Sequence, residues 1–178
     1  MNLSSKLTIL LTPLLLLGCQ ASKPADVPPV TIAFDHNNIN QEYKMNVTIE
    51  DPRTYSVVMN YYLENPDENK SFSNGDFSDE KPQINVEDYG IKNLENGESG
   101  VIAEYKVKIY DLDKKQYISN EVIIDPTISS MYMGYYTNLT SVFLKKGQYA
   151  VYVTYLEGSP KLNSLITELK VSRAHHGK

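Results

Sequence analysis

Three histidines are the only side chains of this 178-residue sequence with ordinary proton affinities near neutral pH. His175 and His176 lie in the tail 173–178, which reads as disordered and at most a weak transition-metal ligand. His36 falls in the polar stretch Asp35-His36-Asn37-Asn38 and reads as a solvated turn residue. Nucleophilic catalysis needs a Ser, Thr or Cys held against a base, and the sequence offers no Gly-x-Ser-x-Gly elbow, phosphate loop or His-Glu-x-x-His. Carboxylates crowd one insert: Glu64, Asp67, Glu68, Asp76, Asp79 and Glu80. Asp67, Asn69 and Ser71 have the spacing that opens a calcium loop. Phe72, however, stands where the loop needs Gly, and Ser78 where it needs a bidentate Glu. Nor does any pattern show two acids facing each other across a cleft, as glycoside hydrolysis requires. No metal or cofactor is therefore expected. What remains is contact chemistry: Tyr132, Tyr135 and Tyr136, flanked by Met131 and Met133, offer amphipathic area to a protein or a sugar ring.

Composition narrows the classes further. Seventeen basic against 22 acidic residues give a net charge of −5, the wrong sign for a nucleic-acid binder. With 41% hydrophobic and 22% charged residues the chain suits one ordinary globular domain. A single Cys excludes an intramolecular disulfide framework and a multi-cysteine zinc site.

That Cys sits at a particular place. Residues 1–18 carry one charge, Lys6, followed by the apolar run Leu7 to Leu17, interrupted by Pro13. The run is shorter than the about 20 residues of a membrane span and matches the core of an export signal. It ends in Leu16-Leu17-Gly18-Cys19, which resembles the lipobox of bacterial lipoproteins. The resemblance implies cleavage before Cys19, acylation of Cys19 and attachment to a membrane. Gln20 in place of Asp implies delivery to the outer membrane, facing the periplasm. Three prolines between Gln20 and Pro29 then predict an extended tether over 19–29.

The remainder alternates with period two. Tyr43, Met45, Val47 and Ile49 share one face of a predicted strand, and Tyr55, Val57, Met59, Tyr61 and Leu63 one face of the next. Val101 to Ile109 pairs with Tyr117 to Ile124 across the turn Asp111–Lys115. Ile128–Tyr136 and Leu139–Leu144 are less regular. Tyr149, Val151, Val153 and Tyr155 alternate again after Gly147. Leu165, Thr167, Leu169 and Val171 close the series; the segment also has helical spacing through Leu162 and Ile166, but the strand reading fits more of it. The acidic insert 64–82 reads as a long surface loop. The pattern predicts an all-β fold over residues 30–172, an antiparallel immunoglobulin-like or fibronectin-like sandwich of seven to nine strands.

The run Leu144-Lys145-Lys146-Gly147-Gln148-Tyr149 resembles the corner that opens a late strand of such sandwiches. Together with Phe34-Asp35, Met45–Ile49, Tyr55–Leu63, Ser159-Pro160 and Thr167–Val171 it is similar to a group of bacterial lipoproteins known only as a domain of unknown function. Those motifs belong to the scaffold and carry no catalytic residue. The function expected from the sequence is thus a non-enzymatic, lipid-anchored envelope protein that binds a protein partner, by analogy a toxin-neutralising immunity protein. The alternative is a module that stacks Tyr132, Tyr135 and Tyr136 on an envelope glycan.

Overall fold

The computed structural model describes residues 26–62, 86–93, 99–131 and 134–174. Among them lie eleven strands: β1 (Val30–Phe34), β2 (Glu42–Ile49), β3 (Arg53–Tyr62), β4 (Ile91–Asn93), β5 (Ser99–Val101), β6 (Ala103–Asp111), β7 (Gln116–Ile124), β8 (Ser129–Met131), β9 (Gly134–Leu144), β10 (Gly147–Gly158) and β11 (Ile166–Arg173). Nine of them form two antiparallel sheets, ordered β1-β11-β3-β9-β8 and β2-β10-β6-β7, and β4 and β5 make a separate ribbon. The chain is an all-β sandwich, as its alternation predicts.

Strict alternation gives each strand one buried face. Along β6 every odd residue from Ala103 to Asp111 is buried and every even one half-exposed. Val47, Ile49, Tyr105, Val107, Val151 and Val153 pack from one sheet against Val57, Met59, Tyr61, Leu169 and Val171 from the other. Transfer of this apolar area out of water is the main force closing the two layers. The anticipated corner is present: the Tyr149 hydroxyl donates to the Lys145 carbonyl oxygen at 2.9 Å. A second corner of the same span occurs at β3, where Tyr55 donates to the Asp51 carbonyl at 2.9 Å.

The irregular stretches have local causes. Leu139 is an extra residue opposite β3, since Val57 pairs with Thr140 and Val58 with Asn138. It is nonetheless buried, and the bulge shifts the period that blurred this segment in sequence. Val101 and Ala103 belong to different sheets, not to one strand. Between them the Ile102 amide bonds the Gly90 carbonyl at 3.0 Å, and the Ile102 carbonyl accepts from Ser159 at 2.8 Å. Helical spacing near Leu162 reflects a short 3-10 turn, Pro160–Ser164, that buries Leu162 before β11 begins. The predicted tether is partly docked. Asp26 donates to the Asn46 carbonyl at 3.2 Å and accepts from the Thr48 amide at 2.9 Å, so the chain lies along the outer edge of β2 before reaching β1.

Candidate functional site

The groups best suited to proton chemistry meet inside the sandwich. His36 is only 2% exposed, which corrects its reading as a solvated turn residue. The Asp35 carboxylate, held below its usual pKa chiefly by the Asn37 amide, accepts from Asn37 N at 2.9 Å and from Asn38 Nδ2 at 2.8 Å. This local turn keeps the polar neighbours outside while His36 folds inward. Its ring lies edge-on to Phe34, Tyr105 and Tyr155 and stacks on Tyr61. Burial pulls the imidazole pKa from 6.5 down to about 4, against a small opposing pull from Asp35, so the ring is neutral at pH 7.

Hydrogen-bond bookkeeping then fixes its tautomer. Thr167 spends its one proton on the Phe34 carbonyl at 2.8 Å, so its oxygen only accepts from His36 Nδ1 at 3.3 Å. Nε2 therefore accepts from the Tyr105 hydroxyl at 2.6 Å, and the Tyr105 oxygen accepts from Tyr61 at 2.9 Å. Both phenols are pushed upward by burial. Every proton in this chain of bonds is committed and the cluster is walled off from water. It holds β1, β3, β6 and β11 together; it is not poised to meet a substrate.

Of the tyrosines singled out in sequence, Tyr135 and Tyr136 do not share a face. β9 turns Tyr135 towards the core, opposite Tyr61, and leaves Tyr136 exposed on the other face, opposite Asn60. Tyr132 lies outside the described residues, as do Cys19, His175, His176 and the acidic insert. Among the described residues no three His, Cys, Asp or Glu are placed to hold a metal, and no helix is long and apolar enough to cross a membrane.

Exposed apolar surface collects elsewhere, on β7. Among the described residues this strand pairs with β6 on one side and with no strand on the other. Seven of its nine residues are exposed, Ser119 and Ile123 being half-buried. Tyr117 is 56%, Val122 50% and Ile124 63% exposed, with Ile118 beside them. Register against β6 sets Val122 beside Lys106 and Ile124 beside Glu104 on the outer face, and Glu121 beside Val107 on the inner one. A bulge between Ile109 and Tyr110 makes Ile118 the extra residue. Next to it the Tyr110 and Tyr117 rings meet edge-to-face, centroids 5.0 Å apart.

The two ends of β7 differ in charge. Beyond Ile124 an open groove of about 400 Å³ is lined by Ile102, Glu104, Ile124, Asp125, Glu157 and Gly158. Glu104 and Glu157 are directly opposite each other in the β6–β10 ladder, and of the three acids Asp125 has an ion-pair partner among the described residues, Lys92. Before Gln116 the turn carries Lys114, bonded to Asp111, and the exposed Lys115. Farther across the outer face the Lys44 and Lys108 ammonium groups lie 5.5 and 5.1 Å from the centre of the Tyr152 ring, and Lys108 also pairs with Glu42. An unpaired, largely apolar edge strand flanked by opposite charges is suited to main-chain recognition of another strand. Sequence reading found β7 as a hairpin partner but not as a surface, because exposure of an edge depends on what packs around it.

Comparison with known proteins bears on the fold. The crystal structure of GEBA250068378 from Sulfurospirillum deleyianum is similar, with a TM-score of 0.57 over 82% of this chain and 97% of that one. At 12% identity the likeness concerns architecture alone. No curated protein matches the sequence. A family model does, across residues 31–173, and the chain accordingly belongs to the family described as a domain of unknown function, DUF5625.

Proposed function

We propose that this protein is a non-enzymatic lipoprotein of the bacterial cell envelope that binds a protein partner through its β7 edge. The reading joins two parts. Leu16-Leu17-Gly18-Cys19 supports acylation at Cys19 and an outer-membrane position facing the periplasm. The observation that carries the binding half is the exposure of Tyr117, Ile118, Val122 and Ile124 along a strand whose second edge is unpaired among the described residues. A toxin-neutralising immunity protein is one form such a binder takes, consistent with a small acidic domain held at the membrane. The glycan alternative draws less support, because Tyr135 and Tyr136 lie on opposite faces of β9.

Two measurements test this. Mass spectrometry of the membrane-extracted chain should find an amino terminus at Cys19 bearing fatty acids; an unmodified thiol there removes the anchor. Pull-down from solubilised envelopes should recover a stoichiometric protein with the native chain and lose it with Val122→Lys. Equal recovery by both chains removes β7 as the site.

A further inference from the structure

We infer that the protein on the β7 edge is a second copy of the same chain, paired antiparallel about a twofold axis through Asn120. This rests on the reading of β7 as a protein-binding edge and names its occupant. Asn120 is the midpoint of Gln116–Ile124. Residue pairs in that register sum to 240, which sets Gln116 against Ile124, Ile118 against Val122, and Ser119 against Glu121. Ser119 and Glu121 share the inner face, whereas the bulge at Ile118 breaks the alternation, so Tyr117 on the outer face falls opposite Ile123 on the inner one.

Three features of the strand favour itself as partner. Its exposed apolar residues Ile118 and Val122 would meet across the axis, one pair on each side of it. Its single charge, Glu121, would face the second copy's Ser119, the residue type that already donates to it at 2.9 Å within one chain. Sliding the centre to Glu121 would instead place two carboxylates opposite each other, which antiparallel pairs disfavour. Continuing the register past the strand brings the second copy's Lys115 to Asp125, at the mouth of the groove holding Glu104 and Glu157. The basic end of β7 thus meets the acidic end twice, once at each end of the pair. Isologous contacts of this kind are self-limiting: they close a dimer and leave no free β7 edge. The two four-stranded sheets would become one continuous sheet of eight strands.

Cysteine scanning in the full chain tests the register. Directly opposed residues of an antiparallel pair have Cα atoms about 4.5–5.5 Å apart, inside the range a disulfide spans. Asn120→Cys should therefore give a disulfide-linked dimer under mild oxidation. Val122→Cys, whose own copy is displaced by four positions along the strand, should not, and native Cys19 is common to both chains. Mixing Ser119→Cys with Glu121→Cys should yield a mixed dimer in excess of either homodimer. Sedimentation of the unmodified chain in detergent should show a dimer that Lys115→Glu and Val122→Lys each weaken at least tenfold. A monomer at all concentrations, or equal cross-linking at 120 and 122, overturns the inference. A monomer whose pull-down partner is still lost with Val122→Lys would overturn self-pairing and leave the binding edge standing. A register-specific dimer that recovers only itself would establish self-pairing against a heterologous partner.

Discussion

Tyr105 donates to His36, and not His36 to Tyr105: the 2.6 Å bond between the phenol and Nε2 has its direction set three atoms away, where Thr167 gives its only proton to the Phe34 carbonyl. The imidazole is thereby fixed as a neutral ring protonated at Nδ1, deep between the two sheets. A second proton has no acceptor to satisfy it there.

Stability should therefore fall with acid through a specific window. The folded pKa of His36 is about 4 and the unfolded one 6.5. Between those values the unfolded chain binds a proton that the folded chain refuses, so the free energy of unfolding rises with pH across the window and is fully present above 6.5. The shift corresponds to about 3 kcal/mol at about 1.4 kcal/mol per unit. Urea melts at intervals from pH 7 to pH 4 should show the loss, while ring nitrogen shifts should report one neutral Nδ1–H tautomer at pH 5. A flat profile, or a charged ring at pH 5 in the folded chain, would contradict the network.

Tyr105→Phe should cost more than Tyr149→Phe although each removes one hydroxyl. The first leaves His36 Nε2 without a donor and Tyr61 without an acceptor, both inside the core, at about 1–3 kcal/mol for each buried group left unsatisfied. The second frees only the Lys145 carbonyl at an exposed corner, for about 1 kcal/mol. Paired chemical-denaturation curves with unchanged m-values would measure the difference.

Much of this scaffold was readable in the sequence, because a strand that buries one face must alternate: β2, β3, β6, β10 and β11 all follow from period two. The corner at Tyr149 was readable too, since its spacing from Gly147 and Leu144 is local. His36 was not. Its neighbours Asp35, Asn37 and Asn38 have the composition of a solvated turn, and the side chains of β3, β6, β10 and β11, distant in sequence, surround it. Tyr135 and Tyr136 are adjacent in sequence, and adjacency on a strand separates them. The importance of β7 was hidden because exposure of an edge is a property of the strands around it.

Gly134→Ala should destabilise the fold although the change is a single methyl. A Cβ at this position would lie 2.1 Å from the Tyr61 carbonyl oxygen and 3.2 Å from Tyr62 Cα, atoms of the paired backbone that cannot rotate away. β9 or β3 must shift, at about 1–3 kcal/mol as for other overpacked sites. Because Tyr61 anchors the His36 network, the shift should also disturb the imidazole resonances of His36. Unchanged melting together with an unchanged His36 spectrum would show that the close approach is relieved without strain.

Val122→Lys separates the two roles an edge strand can have. If β7 were chiefly a structural strand, a charge at Val122 would lower stability as core substitutions do. Val122 is half-exposed and loses little contact within its own chain, so the variant's main cost there is a like charge opposite Lys106, and the melting free energy should fall by no more than about 1 kcal/mol. A lysine on an edge opposes pairing with another strand, by repulsion and by the cost of taking its charge out of water. The expected signature is thus a protein nearly as stable as the native chain that has lost its association with other chains. Thermal melts and sedimentation on the same sample measure both quantities. A variant that melts much earlier would assign β7 to the fold of one chain, whereas an equally stable variant that still associates would place the contact on another surface.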